Sequence, residues 1–231
     1  MKNLIIFTSV AVIIIGMIFL VHDFGKNENI AKDQKYALVL LHGWGSKGTR
    51  MMKRTKNIRE YLSRDLKNTI SFFAPNAPHE TGINSYIWFG TKNPAQTNKD
   101  LEDSKKFIEN YIKKEVVEKN NIPFENIILA GFSQGASIAV YAGTKFEKPI
   151  AGIISFSGSP LLIENILQTP PLLIIHGQDD QNITVENAFS MNQYYSQQGL
   201  QTTMRIIQDI GHTINNEALK EASKYISQTF Q

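Results

Sequence analysis

No cysteine occurs among the 231 residues, which excludes disulfides, thiolate metal sites, a cysteine nucleophile and a cysteine-linked lipid anchor. A strong charge bias is lacking too. The formal net charge is +3, and residues 1–30 contribute none of it, because Lys2 and Lys26 balance Asp23 and Glu28. Such a balance gives no ground for nucleic acid as a partner. The one basic cluster, Arg50, Lys53, Arg54, Lys56 and Arg59, reads as the solvated face of a helix, with a face toward an anionic surface as the other reading. Internal repeats and low-complexity tracts are absent, and a composition of 42% hydrophobic and 19% charged residues excludes bulk disorder. The length suits one sizeable core rather than two full domains.

A long hydrophobic run is present at the start. Leu4–Val21 carries no charge over 18 residues, and as a helix it would extend roughly 27 Å, close to the thickness of a bilayer core. Its uniform hydrophobicity has no amphipathic period, which argues against a buried core helix. No small-residue cleavage pattern follows it, so an uncleaved signal-anchor is expected over residues 1–21, with a cleaved secretory signal as the alternative. Lys2 then stays cytoplasmic and the remainder lies outside the cytoplasm, at the membrane. Residues 22–35 read as a polar tether and residues 36–231 as one globular domain.

From residue 36 onward, short runs rich in Ile, Val, Leu and Phe alternate with longer amphipathic stretches. That is the pattern of repeated βα units on a mostly parallel, doubly wound sheet with helices on both faces. Strands are expected at Tyr36–Leu41, Ile70–Phe73, Asn126–Ala130, Ile150–Phe156, Leu172–Ile175 and Thr202–Ile207. Helices are expected at Thr49–Leu66, Asp100–Asn120, Gln134–Thr144, Val185–Gln198 and Ile214–Thr229. The segment Ala74–Lys99 is too long for a plain connector and reads as a functional or mobile loop.

Chemistry concentrates at Gly131-Phe132-Ser133-Gln134-Gly135. This GxSxG follows a strand and opens a helix, the context of a nucleophile elbow, in which glycines on either side let strand and helix approach closely. A serine hydroxyl needs a base, and the base needs an acid to orient it. Only His176 and His212 follow Ser133. His176 precedes every Asp that could orient it and reads as a structural residue at a strand end. His212, between the last strand and the last helix, is the base. For the acid, Asp179 and Asp180 share a loop, and Asp180, which completes HGxxD, is favoured. Asp209 reads as a turn residue. The His42-Gly43-Trp44-Gly45 stretch after the first strand supplies an oxyanion donor, the Trp44 N–H, to pair with the N–H of Gln134. His42 itself reads as a structural hydrogen-bonding residue.

These pieces, LHGWG at 41–45, FFAPNAPHETG at 72–82, WFG at 88–90, GFSQGAS at 131–137, IISFSGSP at 153–160, HGQDD at 176–180 and GH at 211–212, together resemble the phospholipase/carboxylesterase family that includes acyl-protein thioesterases. The resemblance implies an α/β-hydrolase fold and a Ser-Asp-His esterase with no metal or organic cofactor. It carries the triad onto Ser133, Asp180 and His212 and the oxyanion donors onto Trp44 and Gln134. Two departures stand out: Gly90 where the family commonly has Asp, and Ala136 where it commonly has Gly.

The expected activity is hydrolysis of a carboxylic ester or thioester through an acyl-enzyme, on a small-molecule or lipid-like substrate. Trp88 and Phe89 are candidates to flank its acyl group, with loop packing as the other reading. The rivals are a lysophospholipase or peptidase-like hydrolase on the same triad, and a catalytically silent, membrane-tethered binding module.

Overall fold

The computed structural model describes residues 34–230. The run Leu4–Val21 and most of the tether lie outside the described residues. Among those described, no helix is long and apolar enough to cross a membrane.

Eight strands and six α-helices follow in order: β1 (Tyr36–Leu41), α1 (Gly48–Thr55), α2 (Arg64–Thr69), β2 (Ile70–Phe73), β3 (His79–Gly82), β4 (Ser85–Ile87), α3 (Pro94–Tyr111), β5 (Ile127–Phe132), α4 (Gln134–Lys145), β6 (Gly152–Phe156), β7 (Leu172–Gly177), α5 (Glu186–Gln197), β8 (Thr202–Ile207) and α6 (Asn216–Phe230). Six strands form one sheet in the order β2-β1-β5-β6-β7-β8. Every pairing in it is parallel, as expected for strands linked by helical crossovers. Strand alternation divides the interior in two. Ala37, Val39 and Leu41 of β1 join Ile127 and Leu129 of β5 in a core under α3, α4 and α5. Leu38, Leu40, Ile128 and Ala130 face the opposite core, closed by α1, α2 and α6. Both strand faces are therefore apolar, which is why these segments read as continuous hydrophobic runs.

Two expectations need correction. The single helix expected over Thr49–Leu66 is three pieces: α1, a 3₁₀ segment Lys56–Tyr61, and α2. Thr55 leaves helical geometry at φ −101°, ψ 4°, and Ser63 starts a new helix by accepting from the Leu66 N–H. The segment Ala74–Lys99 is not one irregular loop either. It holds the antiparallel hairpin β3-β4 and the first turns of α3, which starts at Pro94 with the Asn93 side chain capping Ala95 and Gln96.

The strand order reverses between β1 and β5. A crevice beyond the carboxyl ends of strands at such a point is where ligands bind in open α/β sheets.

Candidate active site

Two loops meet in that crevice. After β5 the chain turns sharply, with Ser133 at φ 56°, ψ −122°, a conformation costly for a non-glycine residue and held only by its surroundings. The flanking glycines make the turn possible. A Cβ on Gly131 would lie 2.0 Å from the Gly135 carbonyl oxygen, and one on Gly135 would lie 2.3 Å from that of Leu41. The turn thus lifts the Ser133 side chain into the crevice at the N-terminus of α4, whose positive end favours negative charge there. Gln134 is the first residue of α4, so its N–H belongs to the first-turn donors without an intrahelical acceptor.

Three expected residues come together. His212 Nε2 lies 3.0 Å from Ser133 Oγ, and His212 Nδ1 lies 2.7 Å from Asp180 Oδ2. The other Asp180 oxygen accepts from the N–H groups of Asn182 and Ile183, each at 2.9 Å. Burial alone would raise the Asp180 carboxyl. The Ile183 N–H, His212 and the Asn182 N–H outweigh it and hold the group below the usual carboxylate range, so it is charged and orients the imidazole with Nδ1–H toward itself. Asp179 is exposed, and Asp209 is an exposed turn residue at φ 55°.

Two further histidines at the site, His176 and His42, are structural. His176 is buried, with Nε2 2.7 Å from the Ile183 carbonyl oxygen, and burial lowers its pKa. His42 is buried with a fixed tautomer: Nε2 accepts from the Ala77 N–H at 3.0 Å, which leaves Nδ1–H to donate to Gly43 O at 2.8 Å. Burial first, then Arg50, lower its pKa against the opposing bond to Gly43.

A cavity of about 440 Å³ opens over Ser133 and His212, within the range of small-molecule sites. Trp44, Met51, Phe132 and Ile183 give it apolar walls. Trp88 and Phe89, expected to flank the acyl group or to pack in the loop, are not among its lining residues and are both buried. Trp88 is fully buried; its Nε1 donates to the His42 carbonyl at 2.7 Å, and its ring packs on His42 and Phe107. The Gln134 side chain clamps this segment, accepting from the Trp88 N–H at 3.0 Å and donating to Phe89 O at 2.7 Å. Gly90, in place of the family's Asp, donates its N–H to Asp100 Oδ2 at 2.9 Å.

Sequence reasoning named Arg50 and Arg54 in a basic cluster but did not place them at the site, where they line the cavity. The available signal was their spacing of four on the helix right after the Gly43-Trp44 loop. Among the described residues no group of three or more His, Asp and Glu side chains is arranged to hold a metal ion.

Residues 27–230 match the phospholipase/carboxylesterase family. The chain belongs to that family. It is 31% identical over 208 residues to acyl-protein thioesterase 1 homolog 2 of Dictyostelium discoideum, covering 82% of this chain and 90% of the relative. Homolog 1 from the same organism is 29% identical over 226 residues, covering 88% and 96%. Among solved structures, esterase PE8 superposes with a TM-score of 0.74 at 28% identity, covering 85% of this chain and 94% of that one. The SOBER1 structure from Arabidopsis thaliana, at 20% identity and a TM-score of 0.72 over 85% and 100% of the two chains, shares the fold.

Proposed function

We propose that this family member is a serine hydrolase that cleaves carboxylic esters or thioesters through an acyl-enzyme on Ser133. The observation that carries the reading is the pair of hydrogen bonds linking Ser133 to His212 and His212 to Asp180. Nε2 of the neutral imidazole takes the Ser133 proton as Oγ attacks the carbonyl carbon, and Asp180 stabilises the imidazolium that forms. The N–H groups of Trp44 and Gln134 are assigned to the developing oxyanion, where each such donor is worth about 3 kcal/mol. His212 then protonates the departing oxygen or sulfur. Water, activated by the same imidazole, attacks the acyl-enzyme and regenerates Ser133.

Ser133→Ala is expected to lower turnover of p-nitrophenyl butyrate by at least about 10³-fold, with the folded state retained. Unchanged turnover overturns the assignment. A fluorophosphonate probe is expected to modify Ser133 alone; failure to label well-folded protein would instead favour a silent binding module.

The place of action is part of the same reading. The uncharged run Leu4–Val21 supports anchoring of the catalytic domain outside the cytoplasm, at the membrane. Carbonate-resistant membrane protein retaining residues 1–3 is the expected result of fractionation and N-terminal sequencing. A soluble protein starting after residue 20 replaces the anchor with a cleaved signal.

A further inference from the structure

The cavity over Ser133 has a basic side that the hydrolytic steps do not use. Arg50 and Arg54 leave the same face of α1, four residues apart, and both line the cavity with Ser133 and His212. The helix that carries them is fixed in place. Its first N–H, on Gly48, donates to Asn76 Oδ1 at 2.8 Å, and a Cβ at Gly48 would lie 1.9 Å from the Ala74 carbonyl oxygen. The Arg54 guanidinium stacks 4.4 Å above the Phe132 ring, and that ring lies 4.8 Å from the His212 ring. Arg54 is thus held beside the imidazole through one intervening side chain.

Among the described residues no carboxylate pairs with these charges. Neither arginine forms an ion pair among the described residues, whose bridges involve other side chains. Asp180, the acid of the site, is buried and turned to His212, Asn182 and Ile183. The Arg50 charge acts on both His42 and Arg54, and burial followed by Arg50 lowers the Arg54 pKa. Two like charges near each other on one cavity wall repel unless an anion lies between them. A guanidinium also presents paired donors that match carboxylate and phosphate oxygens.

Resting on the hydrolase reading, we propose that Arg50 and Arg54 form a recognition site for a carboxylate or phosphate group carried by the substrate, making anionic esters the preferred ones. The anion sits on α1's side of the cavity while the scissile carbonyl lies over Ser133. Apolar atoms between the two pack against Met51 and Phe132.

The test compares kcat/KM for two matched pairs on the full-length protein: mono-p-nitrophenyl glutarate against p-nitrophenyl valerate, and 1-butanoylglycerol 3-phosphate against 1-butanoylglycerol. The expected anionic-to-neutral ratio exceeds about tenfold in at least one pair, and which pair shows it tells carboxylate on the acyl side from phosphate on the leaving side. In Arg50→Gln/Arg54→Gln the ratio is expected to fall at least about tenfold, and in Arg50→Lys/Arg54→Lys to fall less, because the charges are kept while the paired donors are lost. Raising the salt should compress it, because exposed charges are screened. A ratio near one in both pairs, or a ratio that survives the Gln substitutions, overturns the anion site. Calorimetry of glutarate on Ser133→Ala protein reads the site without turnover. Binding there that the Gln substitutions abolish, in a protein that hydrolyses none of the four esters, supports the anion site and sinks the hydrolase reading.

Discussion

At the scale of single residues, the described histidines near the cavity differ by what surrounds each ring. His42 can make both of its bonds only when neutral, since Nε2 must accept from Ala77 while Nδ1 donates to Gly43. A second proton would leave the buried Ala77 N–H without its acceptor, at a cost of about 1–3 kcal/mol. His42→Gln is accordingly expected to destabilise the fold and to flatten its dependence on acid, read as the urea midpoint between pH 5 and 7. Asp180 is likewise specified by three hydrogen-bond partners, the Asn182 and Ile183 N–H groups and His212 Nδ1, rather than by its charge alone. Asp180→Asn would keep the shape but offer an amide to one of its partners in place of a carboxylate oxygen. By analogy with serine hydrolase triads in general, kcat should fall by about 10³- to 10⁴-fold with little change in KM. Stopped assays on a neutral ester check it, and a fall confined to KM would contradict the orienting role.

At the scale of elements, the site depends on contacts that join α4 to the strand end on either side of it. Gly135 packs against the Leu41 and His42 carbonyls, so Gly135→Ala must push α4 away from β1. Loss of soluble folded protein, or a large drop in thermal midpoint, is the expected outcome. Gln134 ties the same helix to residues 88–90. Gln134→Ala strands the buried Trp88 N–H and Phe89 carbonyl and is expected to cost about 2–4 kcal/mol in urea unfolding. A cost below about 0.5 kcal/mol would show that water replaces the amide. Gly90 belongs to this tie as well. Its N–H meets Asp100, whose carboxyl burial would raise but which the Gly90 N–H, Gln96, His79 and Lys99 together hold low. A carboxylate at position 90 would face that charge, which gives the departure from the family's Asp a physical reason.

For the whole molecule, the same groups set a window of pH stability. Burial depresses the folded pKa of His42 and His176, so their contribution is complete above about pH 6.5 and is lost as pH falls through the folded values. Asp100 and Asp180, also depressed, contribute fully above about pH 4 and lose that contribution below it. Burial raises Tyr141, Tyr195 and Tyr225, so their contribution is complete below about pH 10 and erodes as pH climbs further. Urea midpoints are therefore expected to be flat from pH 7 to 9, to decline below about 6.5 and to decline again above about 10. A midpoint that keeps rising from pH 7 down to 5 would contradict the histidine assignment.

The six strands of the parallel sheet and their order along the chain could be read from the sequence alone, because strands buried on both faces must be apolar throughout and glycine is required where a turn brings backbones together. Tyr36–Leu41, Ile70–Phe73 and Thr202–Ile207 were legible to the residue for that reason. Ser133 and the order of Asp180 and His212 were legible because the elbow and the ends of β7 and β8 are local features. Tertiary structure alone decided what depends on packing between distant segments. It buried Trp88 under His42 and Phe107 instead of leaving it in the cavity, since an aromatic run in a loop carries no record of which surface covers it. Periodicity over Thr49–Leu66 ran through the break at Lys56–Tyr61, because the same apolar spacing serves three short helices wrapped over one core. Arg50 and Arg54 read as solvated charge until α1 was placed over Phe132, for a basic face shows its function only when the fold sets a nucleophile beside it.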